Sequence, residues 1–490
     1  MKSLIYKSFI VLLLLGASAA CDDFDDMNID PNEPTEVPAE GLATHALFSS
    51  AYLYWDRPFN FEYGMLFAQH LAQAEYTEEQ RYVFGAQDFD FKWATTYAGG
   101  YTENNLDQGV LGDIREAKRL INEDEGLAPA VKANQLAVLD IMEAFQWQVA
   151  TDIWGDIPFS EALQPDDFLQ PRYDSQSSIY EAIIAQLSTA VDSINTGEAG
   201  FSAGGDLIYN GDMDGWQKFG NALLLRMGMR ISDVNPSLAG STVSQALSGN
   251  IYQSVTDEAT LVFNENELTA NPFWYDASPS GGSRDDFRIS EELLGTLQDM
   301  GDPRATLYAD PTPTGDYVGM PYGLEDGPSF VLKNSTSRFT ATLREATAPA
   351  CLLRYSEVKL LHAEAIARGF VSGDAATEYA AGVTAAMNEW GITDQGAINA
   401  YIAANPYNAA NYVESIGMQL WIALYGNGME AWSTWRRLDY PDLQVPEAAV
   451  TDYIPVRGLY PTFEQGTNSE NLLAVPYADL MSTKLWWDVN

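Results

Sequence analysis

The sequence predicts an all-α fold, a scaffold of tetratricopeptide-like helix pairs with long irregular loop insertions. Four segments repeat apolar residues at helical spacing, and small residues recur where paired helices would need to approach closely. Between the helices, residues 264–282 and 309–328 are dense in proline, glycine and aromatic residues, which is typical of surface loops. With 46% hydrophobic residues in a chain of 490, there is ample material for a large core.

The helical segments each place apolar residues three or four positions apart, which forms one buried stripe on a helix. Ser177 and Ser178 are candidate caps for the second segment, and Gly369 is a favoured residue just past the end of the third. A further helix is predicted at 216–230. The four segments are residues 135–150, 179–194, 355–368 and 411–425.

Alanines that would allow close helix packing fall in two neighbouring stretches. They suggest stacked helix pairs like tetratricopeptide units, but no full sequence period is visible, so the number of repeats stays open. The residues are Ala363, Ala365, Ala367, Ala380, Ala381 and Ala385.

The N-terminus has the three parts of an export signal. Lys2 and Lys7 supply positive charge, residues 9–15 form an apolar run too short to span a bilayer, and residues 16–20 are small. Cys21 follows at once, at the position where a lipoprotein signal peptidase cuts and a lipid is attached to the thiol. The sequence therefore predicts a lipid-anchored protein.

Cleavage by the ordinary secretory peptidase is the alternative, because Ser18 stands where lipoprotein signals usually carry leucine. Under the lipid-anchor interpretation, residues 1–20 are the signal peptide, 21–40 a lipidated acidic tether and 41–490 one binding domain. The other cysteine, Cys351, would then have no disulfide partner, and it is predicted to be a buried apolar residue.

The charge balance restricts the possible partners. The formal net charge is −43, and it becomes −45 once the two lysines of the signal peptide are removed. Such a surface repels phosphate backbones, which excludes nucleic-acid binding. It also offers no basic patch for an anionic membrane surface, so the lipid anchor is the predicted membrane contact.

One serine motif could indicate a hydrolase. Residues 200–204 match the GxSxG pattern, but that pattern needs a buried strand before Ser202 and a helix directly after it, and the flanking residues here are turn formers. The triad histidine could only be His362, which lies in a helical stripe. We therefore interpret residues 200–204 as a glycine-rich loop.

Residues 210–215 reproduce the first half of a calcium-binding loop. The twelfth position is Asn221 instead of glutamate, and Lys218 occupies the ninth. We therefore expect Asp212 or Asp214 to cap the following helix. No cofactor is predicted, and a calcium ion near these two aspartates is the weaker alternative.

The other residue types that carry catalysis or bind metals are scattered. The three histidines are far apart in sequence, and acid pairs such as Asp166 with Asp167 and Asp285 with Asp286 are expected by chance among 69 acidic residues. Residues 426–431 resemble a dinucleotide-binding turn, but they follow a helical pattern and not a strand. By elimination, a binding protein is favoured over an enzyme.

Eight phrases, in order along nearly the whole mature chain, resemble the SusD/RagB family and in particular its SusD-like branch of nutrient-binding lipoproteins. One phrase alone would be weak, whereas the ordered set is specific. The phrases are DMNIDPNEPT at 26–35, WGDIPFSEA at 154–162, WQKFGNALLLRMGMR at 216–230, DPR at 302–304, RYSEVKLLHAEA at 354–365, WRRLDYP at 435–441, IPVRGLYP at 454–461 and NSEN at 468–471.

The resemblance implies a SusD-like helical scaffold, built mostly by these phrases, and a binding protein that is not an enzyme. It implies a lipid anchor at the surface of the cell outer membrane and a SusC-like TonB-dependent transporter as partner, over which the lipoprotein closes as a hinged lid. The implied cargo is an oligosaccharide, with an oligopeptide as the alternative. The alternative to a binding protein is an enzyme, a surface hydrolase.

Ligand contact is predicted on loops outside the phrases, at Trp55, Tyr76, Arg81, Trp274 and Tyr275. A sugar ring has an apolar face that stacks on an aromatic ring, and its hydroxyls need fixed donors and acceptors. Both tryptophans lie in tracts that combine proline, aromatic and polar residues. The alternative is that they anchor their loops in the core.

Overall fold

The computed structural model describes residues 37–97, 109–266, 269–277 and 285–490. The predicted signal peptide, Cys21 and most of the predicted tether lie outside these residues, as does the side chain of Tyr275. Helices account for 55% of the chain and strands for 5%, which confirms the predicted all-α class.

The helices follow the chain from Ala39 to Leu473, and a π-helix, Arg57–Met65, follows the first of them. The α-helices are α1 Ala39–Tyr54, α2 Asp90–Tyr97, α3 Val110–Glu123, α4 Pro129–Trp154, α5 Gln176–Ser193, α6 Met213–Arg230, α7 Pro236–Ser248, α8 Pro272–Ala277, α9 Glu291–Asp299, α10 Ala305–Tyr308, α11 Asp326–Leu332, α12 Tyr355–Ala367, α13 Ala375–Glu389, α14 Gln395–Ala404, α15 Tyr412–Ala423, α16 Gly428–Leu438, α17 Thr462–Thr467 and α18 Ser469–Leu473.

The described residues form short antiparallel strand pairs, and the β1–β5 and β4–β6 pairs join parts of the chain that are far apart in sequence. β1 pairs with β5, β2 with β3, and β4 with β6. The strands are β1 Leu71–Gln73, β2 Ile157–Pro158, β3 Tyr173–Asp174, β4 Ala259–Leu261, β5 Phe287–Ile289 and β6 Ala350–Leu353.

The helices pack in pairs, as the tetratricopeptide-like prediction requires. α1 packs on α3, α4 on α5, α6 on α7, and α12 on α13, and successive pairs also contact one another. Close approach depends on small residues: a Cβ added to Gly382 of α13 would lie 2.7 Å from Cγ of Leu360 in α12. Ala363 and Ala365 are fully buried in the same pair.

The predicted helices are found, with shifted ends. α6 begins three residues before the predicted start because Asp212 caps it, accepting a hydrogen bond from the Asp214 amide at 2.9 Å. α12 ends before Gly369, whose φ of +78° confirms its predicted place beyond the helix end. The predicted caps of α5 were wrong: Ser175 is the cap and accepts from the Ser178 amide at 3.3 Å.

Buried ion pairs join helices that are far apart in sequence. Arg226 of α6 donates to Glu357 of α12 at 2.6 and 2.7 Å, and Arg230 of α6 donates to Glu430 of α16 at 2.6 and 2.7 Å. Asp152 of α4 accepts from Arg230 at 3.2 Å. All five side chains are buried, so each charge depends on its partner.

A third buried pair links α12 to α16. Arg437 donates to both carboxylate oxygens of Glu364 at 2.5 and 2.6 Å, and Arg368 donates to the same carboxylate at 2.8 Å. Burial alone would raise the pKa of Glu364, but the two guanidiniums lower it to about 2. Most residues of these pairs belong to the matched phrases, which therefore build the scaffold.

Candidate ligand-binding site

The strongest candidate site is a cavity of about 920 Å³ beside the β1–β5 pair, which we call the Tyr76 cavity. It has the size of a small-ligand pocket. It is lined by Arg57, Pro58, Glu62, Tyr63, Glu75, Tyr76, Glu78, Glu79, Val83, Phe84, Asp88, Asp285, Asp286 and Lys333.

Two stretches of chain form the walls, and the β1–β5 pair brings them together. Gln73 lies opposite Phe287, and the Ala74 amide donates to the Asp286 carbonyl at 2.5 Å. Residues 74–88 thereby come to lie against Asp285 and Asp286. The π-helix supplies the third wall. Such helices are rare and are frequent at functional sites.

Tyr76 is the most exposed aromatic residue of the cavity, with 59% of its surface accessible. Its φ of +54° lies in the left-handed region, which a tyrosine rarely adopts. Gln69 and Tyr82, on either side of it, share this conformation. Backbone outliers of this kind concentrate at binding sites, where the surroundings hold them in place.

Contacts on both sides hold the Tyr76 loop. The Thr77 amide donates to the carboxylate of Asp326 in α11 at 2.9 Å, and Lys333, just past α11, donates to Glu75 at 2.8 Å. Within the loop, Arg81 Nε donates to the Thr77 carbonyl at 3.1 Å. The backbone on either side of Tyr76 is therefore held in place by contacts within the protein.

The other predicted site residues do not belong to the described lining of the Tyr76 cavity. Arg81 is half-buried and braces the Tyr76 loop, and it is not part of the cavity lining. Trp274 is half-buried in α8, where its amide donates to the Asn271 carbonyl at 3.0 Å. Tyr275 lies in the same helix, and its side chain is outside the described part of the chain. Ligand contact by these residues stays a prediction.

The predicted surface location of Trp55 is wrong. Trp55 is the residue that ends α1, it is 1% exposed, and its ring stacks on Phe273 with centroids 5.6 Å apart. Phe273 stacks in turn on Phe61 of the π-helix at 3.8 Å. The tract around Trp274 was also predicted to be irregular, but Pro272 begins a short helix there, α8. Trp55 thus anchors the wall of the cavity from the core side.

The lining of the Tyr76 cavity is strongly acidic. Seven carboxylates face two cations, Arg57 and Lys333. Burial would raise the pKa of Asp285, but Arg288, Arg338 and Lys333 hold it below its usual range. Burial raises the pKa of Glu79. Most of these acids carry no sequence signal, because they are scattered over three segments that only the fold brings together.

A second cavity, of about 1260 Å³, is lined by Trp93, Tyr97, Phe168 and Phe463 among others, and we call it the Phe168 cavity. Its charged residues already satisfy one another or the backbone. Lys118 donates to Glu143 at 2.6 Å, and Arg119 donates to Glu116 and Glu123. Because these polar groups are engaged, the Tyr76 cavity is the better candidate for a polar ligand.

The catalytic motifs do not assemble. Ser202 hydrogen-bonds through its amide and hydroxyl to Glu40 of α1, whereas His362 of α12 lies 3.2 Å from Glu378 of α13. Among the residues that the structure describes, no group of three or more His, Cys, Asp or Glu side chains is arranged to hold a metal ion. Within the same ranges, none of the helices combines the length and apolar content needed to span a bilayer.

Replacing Ser202 or His362 with alanine is expected to leave ligand affinity unchanged, because neither residue lines the Tyr76 cavity and the two have separate partners. Titration of a bound ligand with each folded variant checks this. A loss above about tenfold in either variant, roughly 1.4 kcal/mol, would instead support the hydrolase hypothesis.

Comparison with known proteins supports the same class of function. A family model for SusD-like proteins, described as starch-binding and associating with the outer membrane, matches residues 31–461. The solved structure of a chitin-binding protein has a TM-score of 0.80 at 29% identity, covering 92% of this chain and 100% of the other. No curated protein sequence matches the chain significantly.

Two solved SusD homologues have the same fold at lower identity. The one from Bacteroides uniformis ATCC 8492 has a TM-score of 0.78 at 22% identity and covers 93% of this chain and 100% of its own. The one from Bacteroides fragilis NCTC 9343 has a TM-score of 0.75 at 21% identity, and the match covers 92% of this chain and 100% of the homologue.

Proposed function

The chain belongs to the SusD-like family of outer-membrane nutrient-binding proteins, and from that premise we propose that it captures a glycan in the Tyr76 cavity. SusD-like binding proteins are non-catalytic, so the cavity holds its ligand without transforming it. The observation that carries the proposal is the exposed ring of Tyr76, whose backbone is held in place at the edge of a cavity lined with carboxylates.

The chemistry of the cavity fits a sugar. The ring of Tyr76 can stack on the apolar face of a pyranose, and ionised carboxylates accept hydrogen bonds from hydroxyl groups, which sugars carry in excess. Because the Tyr76 loop is already held by Asp326 and Lys333, little ordering is needed on binding. The chitin-binding protein at 29% identity supports a polymer of N-acetylglucosamine as the first ligand to test.

We also propose that Cys21 carries a lipid and that the partner is a SusC-like TonB-dependent transporter. The export signal followed directly by a cysteine supports the anchor. The family's association with the outer membrane supports the partner. In this arrangement, the protein closes over the transporter as a hinged lid and delivers the glycan to it.

Replacing Tyr76 with alanine is expected to weaken glycan capture by about 1–3 kcal/mol, because it removes the stacking surface. Tyr76→Phe keeps the ring and should retain most of the affinity. The measurement is isothermal titration calorimetry with soluble chito-, cello- and malto-oligosaccharides of equal length, together with a melting curve for each variant.

Phe168→Ala is the matched control, because Phe168 is a partly exposed aromatic residue at the other cavity. If Phe168→Ala abolishes binding while Tyr76→Ala does not, the site is the Phe168 cavity and the proposal is wrong. If peptides bind and none of the oligosaccharides do, the cargo is an oligopeptide.

A further inference from the structure

The charges of the Tyr76 cavity fall into two groups. Arg57 lies 2.7 Å from Glu62, and Lys333 lies 2.8 Å from Glu75, so both cations of the lining are neutralised by acids of the same lining. Asp285 is 2.9 Å from Arg288 and 2.7 Å from Arg338. Glu62, Glu75 and Asp285 therefore each have a cationic partner.

The remaining acids of the lining differ in their surroundings. The positive charge of Arg57 acts on Glu79 and partly opposes the rise in its pKa that burial causes. Glu78 and Asp88, in contrast, have no ion pair with a lysine or arginine of the described residues. Glu79 accepts from the Gln73 amide group at 2.6 Å and Asp88 from the Gly85 amide at 2.7 Å. Glu78 is exposed. Its carboxylate has no hydrogen bond to any part of the chain that the structure describes. A ligand with positive charge would meet uncompensated carboxylates here.

The aromatic residues of the lining favour the same kind of ligand. Tyr76 and Glu78 belong to one loop and both line the cavity, so an exposed aromatic ring and an exposed carboxylate lie two residues apart in the chain. The face of an aromatic ring attracts cations, and Tyr76 is open to solvent. Stacking and charge therefore act together on a sugar that carries an ammonium group.

Resting on the proposed capture of a glycan in this cavity, we propose that the preferred ligand is an amino-sugar chain whose amines are free. An ammonium group can pair with Glu78 and Asp88, whereas an N-acetyl or hydroxyl group leaves those charges uncompensated when the ligand displaces water. A sugar acid would be repelled by the same carboxylates and by the net charge of −43.

The test compares β-1,4-linked oligomers of glucosamine, N-acetylglucosamine and glucose of one length, titrated at mildly acidic pH and low salt. The glucosamine oligomer is expected to bind about tenfold more tightly than the other two, an advantage that should shrink as salt screens the charges. Glu78→Gln should lower affinity for the glucosamine oligomer several-fold more than it lowers affinity for the N-acetylated oligomer, because only the ammonium loses a charge partner. Glu123→Gln, an exposed acid of α3, is the control.

The outcomes separate the inference from the function on which it rests. If the N-acetylated oligomer binds as well as the free amine and Tyr76→Ala weakens both, the cavity binds glycans and the amine preference is wrong. If malto-oligosaccharides bind and none of these three oligomers does, the amine preference is wrong and glycan capture stands, whereas both proposals fail if no oligosaccharide binds. Attraction of a polycation to the acidic surface alone would survive both Tyr76→Ala and Glu78→Gln, and that result would also overturn the inference.

Discussion

Replacing Glu364 with glutamine is expected to lower the free energy of unfolding by about 3–5 kcal/mol, the cost of leaving a buried charge without its partner. Glu364 and Arg437 are both buried. Two guanidinium nitrogens of Arg437 each donate a hydrogen bond to the Glu364 carboxylate. A neutral amide can accept from only one of them and carries no charge to offset the other. The measurement is the shift of the unfolding midpoint in denaturant.

The matched control is Glu123→Gln, which breaks an exposed pair with Arg119 on the surface of α3. That change should cost less than about 1 kcal/mol, because exposed ion pairs gain little over their hydration. Equal midpoints for the two variants would show that the buried pair does not hold α12 against α16.

The pH dependence of stability provides a second readout of the same substitution. The pKa of Glu364 is about 2 in the folded protein, below the value of about 4.3 in an unfolded chain. The pair's contribution is therefore complete above about pH 5, and it is lost as the pH falls through the unfolded pKa towards the folded pKa of about 2. Glu364→Gln should remove this part of the acid sensitivity of the wild type.

Replacing Cys21 with alanine is expected to convert a membrane-bound, lipid-labelled protein into one found entirely in the soluble fraction. Cys21 is the only thiol at the predicted cleavage junction, so no other residue there could take the lipid. The measurement is metabolic labelling with a fatty acid, followed by fractionation of cells that express the full chain.

Cys351→Ala is the control, since Cys351 is buried between Glu258 and the end of β6 and is not accessible for acylation. It should leave both labelling and fractionation unchanged. A Cys21→Ala protein that still carries label and stays with the membrane would exclude the proposed anchor.

The helical scaffold could be predicted because its signals are local. An apolar stripe appears in any helix that buries one face. A glycine just past such a stripe indicates a helix end, as Gly369 does. The predicted segment 135–150 lies inside α4, which ends at Trp154, just before Gly155 with its φ of +84°. What sequence could not supply is the partner of each buried charge, since Arg226 and Glu357 are 131 residues apart.

The errors at the site share one physical cause. Pro58 and Pro272 were interpreted as loop residues, but each lies in the first turn of a helix, where a missing amide hydrogen costs nothing. Trp55 and Trp274 were therefore assigned to surface loops. The cavity itself escaped prediction because β1 and β5 are three residues long, too short to show a period.

The buried pairs also govern the order in which the molecule can assemble. The ribosome adds Glu430 to the chain 200 residues after Arg230. At a synthesis rate of about 5–20 residues per second, this separation is a delay of about 10–40 s. Open stacks of helical repeats nucleate anywhere and grow one repeat at a time. Here the buried arginines of α6 have their partners in α12 and α16, so we expect α4, α6, α12 and α16 to form their common core together, once the chain as far as α16 is available.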